Sequence, residues 1–234
     1  DRFSFTYRAI EGRRVRLGYT LTSRDGAHVE FEETYELPAS LGPLAPASDE
    51  AVGRALLGLH LAAGTSYWKT RIPRELWVED ASISADDAQF WSAVYTQGLG
   101  EFFYRNQIDP TGRASFRETS GADRHKAAAH PAPGPSLLLW GGGKDSVVSH
   151  EILEAAGEAH DLLSVGRTDW EWVHRSAAVS GRVLHVVSRR LDPKLLDMNA
   201  AGALNGHVPV NAILAAAGTL VALLCGRPAV IASN

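Results

Sequence analysis

Cysteine is nearly missing from this chain. Cys225 is the single one, so no internal disulfide and no multi-cysteine metal site can form. It is expected to pack as a small apolar residue. Long apolar runs are missing too. The longest candidate, residues 212–225, is too short to span a bilayer and reads as a buried helix amid alanines and glycines. Basic clusters are sparse: the formal charge is −4, and Arg13-Arg14 with Arg16, and Arg189-Arg190, are the densest spots. That balance argues against a nucleic-acid platform, and no membrane partner is expected. No signal peptide is visible, so the cytoplasm is the default location. No initiator Met opens the chain, and it stops at Asn234, directly after an apolar run at 229–232. A doubly wound domain rarely ends at a strand tip, so a longer protein with further C-terminal material is expected.

What is present is concentrated in residues 137–148, Leu-Leu-Leu-Trp-Gly-Gly-Gly-Lys-Asp-Ser-Val-Val. An apolar strand, a glycine turn and a helix start make a layout that holds phosphate. Glycines let backbone approach the ligand, the first helical amides lack intrahelical partners, and Lys144 adds a positive charge. Asp145 beside a phosphate makes sense if it holds magnesium or substrate. A Walker A loop is excluded, because Leu138 stands where its first glycine belongs and Asp145 follows Gly143-Lys144. A dinucleotide fingerprint fails because Gly141-Gly142-Gly143 lacks the G-x-G-x-x-G spacing. Gly-Gly-x-Asp-Ser after a strand resembles the PP-loop of the ATP pyrophosphatase superfamily. Gly141 replaces the first serine of that pattern.

Along the chain, residues 3–7, 15–19 and 29–37 alternate apolar and polar between turn dipeptides, which predicts an antiparallel meander ended by Pro38. Ser48-Asp49 caps a helix running to about Ala63, and Gly64 stops it. A second helix starts at Ser84, with Phe90, Trp91, Val94, Tyr95 and Phe102 on one stripe, read as core packing. This gives an α+β N-terminal domain over 1–108. Residues 109–135 read as a linker or long loop, and His125 and His130 within it carry no metal signature. From Ser136 strand and helix alternate, with strands at 137–140, 162–165, 183–187 and 230–232. Helices follow at 146–156, with Val147, Val148, Ile152 and Leu153 inward, around 170–177, and at 213–224. That alternation predicts an α/β domain over 136–234, a parallel sheet with helices on both faces and ligands at the C-terminal strand tips. Arg167, Thr168 and Asp169 follow the second strand, Arg189 and Arg190 the third, and Asn205 and His207 flank Gly206 before the long helix.

Three features resemble a narrower family: Gly141-Gly142-Gly143-Lys144-Asp145-Ser146, the stretch Asn205-Gly206-His207-Val208-Pro209-Val210, and the ending Ala232-Ser233-Asn234. With a β-rich first half, the chain is similar to UDP-N-acetyl-muramoyl-L-alanyl-L-glutamate epimerases of peptidoglycan synthesis. The resemblance implies a PP-loop fold, ATP and Mg2+ as cofactors, and a UDP-N-acetylmuramoyl dipeptide substrate whose terminal L-Glu is inverted through an acyl-adenylate. It implies that residues 141–146 bind phosphate, that the backbone at Val165 and Gly166 receives adenine, and that Asp145 holds the metal. Lys144, Asp145 and His207 are the catalytic candidates; Arg167, Arg189, Arg190 and Asn205 are the substrate candidates. Another adenylating enzyme of the superfamily, tRNA-modifying or amide-forming, and a non-catalytic nucleotide module stay open.

Overall fold

The protein is described from a computed structural model that covers residues 1–45, 50–119 and 134–233. Strands β1 (Arg2–Glu11), β2 (Arg14–Thr22) and β3 (His28–Glu36) form the expected meander. Their alternation works as period two dictates: Phe3, Phe5, Val15, Leu17, Tyr19, Leu21, Phe31 and Tyr35 are all buried on one face. A bulge between Phe5 and Tyr7 resets the register, and Tyr7 then lies opposite Gly18. The tyrosine ring fills the space a Cβ on Gly18 would need, 2.1 Å away, which is why a glycine sits mid-strand.

Two short strands were not foreseen. β4 (Glu75–Val78) runs parallel to β1, and β5 (Ser115–Phe116) parallel to β4. β5 lies inside the stretch read as a linker. Segments of two to four residues are too short to show a period. The other strands are β6 (Ser136–Leu139), β7 (His160–Gly166), β8 (Leu184–Arg190) and β9 (Val230–Ile231), all mutually parallel. Antiparallel pairing of residues 34–36 of β3 with 188–190 of β8 joins both halves. One nine-stranded sheet results, in the order β5-β4-β1-β2-β3-β8-β7-β6-β9. It is mixed, with the parallel part expected after Ser136 and an antiparallel meander before it.

Helices cover both faces of the parallel part. α1 (Glu50–Ala63) and α8 (Val210–Leu224) pack together on one face, and the four-residue α2 (Thr65–Trp68) follows α1. Gly218 of α8 lets Val230 and Leu139 approach, since a Cβ there would lie 2.9 Å from Val230. This face shares one core with the meander, reaching from Phe3 and Leu59 to Leu137, Val187 and Leu220. α5 (Lys144–Ala156) and α6 (Glu171–Ser180) lie on the other face, over a smaller core of Leu138, Trp140, Leu162, Val173 and Ala177.

Three helix readings need correction. The single stripe from Phe90 to Phe102 is two helices, α3 (Ala85–Thr96) and α4 (Gly100–Arg105), with a 3-10 turn at Gln97–Leu99 between them. Phe90 is 60% exposed because the core-facing arc of α3 runs through Ala88, Trp91 and Tyr95 at i, i+3 and i+7 and leaves it outside, while Phe102 is buried from the separate helix α4. On α5 the sheet side carries Ser146, His150 and Leu153 at i, i+4 and i+7. Val147, Val148 and Ile152 fall off that arc and are exposed. α7 (Pro193–Ala200) was not foreseen, though it has a readable start: Asp192 accepts from Lys194 N at 2.9 Å and Pro193 fills the first turn. No described helix is long and apolar enough to cross a membrane. The expected cap Ser48-Asp49, and also His125, His130 and Asn234, lie outside the described residues.

Candidate functional site

β6 leads through α5 to β7 on one side, while β9, entered from α8, lies on the other. The strand order therefore reverses beside β6, and a crevice opens beyond the strand ends at such a point. A cavity of about 490 Å³ lies there. Leu139, Trp140 and Gly141 form its floor, with Gly143, Asp145 and Ser146 at the start of α5. Val165 of β7, Ser233 after β9 and Asn211 of α8 close its sides.

The glycine loop is built for close approach. Gly142 has φ +73°, and a Cβ on it would lie 2.8 Å from Ser176 Oγ. Gly141 and Gly143 face open space instead, so nothing crowds the backbone there. Gly143 caps α5 without any side-chain hydrogen bond, so the helix start keeps its amides for a ligand. Ser146 Oγ donates to the Gly143 carbonyl at 2.9 Å and ties the loop to the helix. Trp140 donates its indole N–H to Ser176 at 3.0 Å, which anchors the strand end below. Asp145 is exposed and lines the cavity; Lys144 is exposed beside it. A carboxylate beside a glycine loop and a free helix start is a donor that could hold Mg2+, which uses one or two carboxylates plus phosphate oxygens.

Trp170, read from the sequence only as part of the helix around 170–177, stands at the N-cap of α6 and packs against the smaller core. It also lines the cavity and stacks on Trp172, with centroids 5.3 Å apart and planes at 23°. Gly166 makes this possible, since a Cβ there would meet the Trp170 ring at 2.7 Å. An aromatic four residues past a strand-tip glycine is the signal that could have revealed it. Asn211, in the first turn of α8, was passed over in the same way.

The other candidates are not gathered into this cavity. Arg167 is exposed and holds Asp169 through two hydrogen bonds of 2.9 and 2.6 Å. Arg189 sits at the seam between β3 and β8, where its Nε donates to buried Glu33 at 2.7 Å. Burial works against its charge, but Glu33 outweighs this and holds the guanidinium protonated. Arg190 is exposed at the end of β8. His207 is exposed on the loop before α8. Asn205 Oδ1 accepts from Lys69 Nζ at 2.6 Å, and the same ammonium donates to the Gly206 carbonyl at 2.8 Å. Lys69 is only 7% exposed, and burial lowers its pKa. No local pattern in the sequence pointed to it. Away from the cavity, His150, Glu154 and His160 bring three metal-competent donors together at the start of β7. Arg182 already pairs with that Glu154 carboxylate.

A protein-family model described as the MurL N-terminal domain matches residues 1–234. The chain belongs to this family. Proteins named UDP-N-acetyl-alpha-D-muramoyl-L-alanyl-L-glutamate epimerase are similar to it. The one from Xanthomonas oryzae pv. oryzae is 38% identical over 208 residues, 88% of this chain and 45% of that protein. The one from Salinispora tropica is 38% identical over 219 residues, covering 92% and 46%. That from Micromonospora sp. is 37% identical over 219 residues, covering 92% and 47%. The chain thus spans about half the length of the curated relatives it matches. No solved structure gives a significant match. The family expected from the glycine loop and the 205–210 stretch is the family found.

Proposed function

We propose that this chain is the nucleotide-binding half of an ATP- and Mg2+-dependent epimerase that inverts the terminal L-Glu of a UDP-muramoyl dipeptide. The observation that carries the reading is the cavity at the strand-order reversal, with the 141–146 loop and the uncapped start of α5 on its wall. The family match and the relatives' names support the substrate class.

The chemistry explains why ATP is needed. An α-proton beside a carboxylate resists removal, because the carbanion would lie next to a negative charge. Conversion of the carboxylate to an acyl-adenylate removes that charge and leaves a withdrawing carbonyl. A side-chain base can then take the proton, return from the opposite face inverts the centre, and water hydrolyses the acyl-adenylate to restore the carboxylate and release AMP. In this reading the amides of the loop and Lys144 would hold phosphate oxygens as the α–β bond breaks. Magnesium, when bound, supplies positive charge to the leaving pyrophosphate, and Asp145 is the residue to hold it. Trp170 and the backbone at Val165, which line the cavity, would receive the adenine ring. His207 is our candidate for moving the α-proton.

The test uses the full-length protein with the UDP-muramoyl dipeptide, ATP and Mg2+ in heavy water. Release of AMP, D-glutamate at the terminus and one deuterium at its α-carbon are expected. AMP release without label or inversion rejects epimerisation and favours another adenylating activity. No AMP with any acceptor leaves a non-catalytic nucleotide module.

A further inference from the structure

A second cavity, of about 870 Å³, lies apart from the glycine loop. Five arginines line it, Arg2, Arg24, Arg71, Arg74 and Arg113, against two acids, Asp1 and Glu75. Elsewhere in the fold arginines meet carboxylates: Arg8 pairs with Asp80, Arg16 with Glu11 and Glu32, and Arg227 with Asp161. None of the five lining arginines forms an ion pair among the described residues. The hydrogen-bond acceptors of Arg71 and Arg113 are neutral, although the Asp109 carboxyl, held below its usual range first by the Thr111 amide, is also lowered by the Arg113 charge. Arg71 donates to Ser23 Oγ, and Arg113 donates to the Asp109 carbonyl at 3.0 Å. Arg2 lies over the Trp77 ring at 4.4 Å, with its buried Nε unpartnered among the described residues. Stacking fixes the plane of a guanidinium and leaves its N–H edge for an anion. Five cations against two acids leave an excess of positive charge in one concavity, which an entering anion offsets.

The corner that presents Arg71 and Arg74 is held firmly. Ile72 has φ +44°, a region that a β-branched residue rarely occupies. Fully buried Trp68 holds this conformation from two directions. Its carbonyl accepts from Ile72 N at 2.9 Å, and its indole N–H donates to the Pro73 carbonyl at 2.8 Å. The arginines therefore sit on a preorganised support.

Topology places both cavities at one edge of the sheet. β6, β7 and β8 end there. β3 runs against β8, β2 against β3 and β1 against β2, so the start of β1, the end of β2 and the start of β4 share that edge. The loop before α8 connects the two sites. Asn211 lines the first cavity, and Leu204 N donates to the Thr70 carbonyl at 3.3 Å, next to Arg71. Seven residues of chain span at most about 25 Å.

We propose that the arginine cavity holds the diphosphate of the UDP-muramoyl dipeptide while its glutamate end reaches the glycine loop. This rests on the function proposed above. Planar guanidinium groups suit the paired oxygens of a diphosphate, and a polar, arginine-lined cavity suits a nucleotide better than an apolar ligand.

The probe is UDP, compared with uridine, inorganic pyrophosphate and ATP, each titrated calorimetrically into this chain. UDP is expected to bind, pyrophosphate to compete with it, and uridine not to bind. Arg71→Ala with Arg74→Ala is expected to weaken UDP roughly tenfold or more and leave ATP affinity unchanged. Lys144→Ala should do the reverse. Arg71→Lys with Arg74→Lys, which keeps the charge and loses the planar fork, should fall between, and it serves if the alanine pair fails to fold. No UDP binding, or UDP affinity untouched by both arginine pairs, overturns the proposal. A parallel loss of ATP affinity overturns it as well, since one general nucleotide site would then explain both. If UDP behaves as expected while the full-length protein inverts no glutamate, the epimerase reading falls and the diphosphate site stands.

Discussion

Gly142 is constrained twice, by φ +73° and by Ser176 Oγ at 2.8 Å from where a Cβ would go. Left-handed backbone costs a non-glycine residue about 1–2 kcal/mol, and displacing Ser176 would also disturb its bond from Trp140. Gly142→Ala is therefore expected to lower the thermal midpoint by several degrees and to weaken ATP binding, while Gly141→Ala, in open space, leaves the midpoint within about a degree. Equal midpoints for the two variants would refute the loop geometry. His60 is the second residue with a readable consequence. It is fully buried among Phe5 and Tyr19, with Nε2 2.9 Å from the Gly18 carbonyl. Burial lowers its pKa to about 3, and the Gly18 hydrogen bond opposes this only in part. The unfolded chain then binds the extra proton below about pH 6.5, so stability falls as pH falls from there toward 3. The slope is at most about 1.4 kcal/mol per pH unit. His60→Gln keeps a donor and cannot titrate. The stability gap between wild type and His60→Gln, from urea unfolding, should shift by that amount between pH 6 and 5. Parallel pH curves would count against it. The layout of residues 141–146 was legible because it is local: strand, turn and helix start are contiguous. Lys69 was not, because its partner Asn205 lies 136 positions away.

Among the elements, the strands of the meander and the helix α8 were readable because each buries one clean face. β4, β5 and the two-residue β9 are held by neighbours and have little pattern of their own. α5 was misread on its orientation because it offers two arcs, one apolar and one carrying Ser146 and His150, and the sheet receives the polar one. The β3–β8 seam was invisible for a different reason. It depends on a buried charge pair, Glu33 with Arg189, 156 positions apart and joined by Tyr35, whose hydroxyl donates to Glu33 at 2.6 Å. Arg189 read from sequence as a cation at a strand tip because only its own strand was in view. Removing one partner leaves an uncompensated buried charge, which costs about 3–5 kcal/mol. Arg189→Met is expected to lose that much in urea unfolding. Pairing it with Glu33→Gln should restore a large part, because the stranded carboxylate is gone. A single variant as stable as wild type would mean that the seam does not need the pair.

At the scale of the molecule, the change in character after residue 108 suggested two units, while the structure draws one sheet through both. The connection is narrow in hydrogen bonds, three residue pairs between β3 and β8. It is broad in side chains, because α1 lies against α8 and one apolar core runs from Phe3 to Leu220. Separating the halves would expose that shared face, at about 25 cal/mol for each Å² of apolar surface. We therefore expect residues 1–108 and 136–234 to unfold together. Amide exchange offers the measurement. In a single cooperative unit the slowest amides of β1, β2 and β3 share one ceiling with those of β6, β7 and β8. A ligand that binds only the native state raises that ceiling everywhere, by about 2.7 kcal/mol at a hundredfold excess over its Kd. Saturating ATP, bound at the glycine loop, should then slow exchange in the meander by the same increment as in β6 and β7, although no meander residue lines that cavity. Protection that rises in β6, β7 and β8 alone, with the meander unchanged, would restore the two-unit division and show that the β3–β8 seam opens independently of the site.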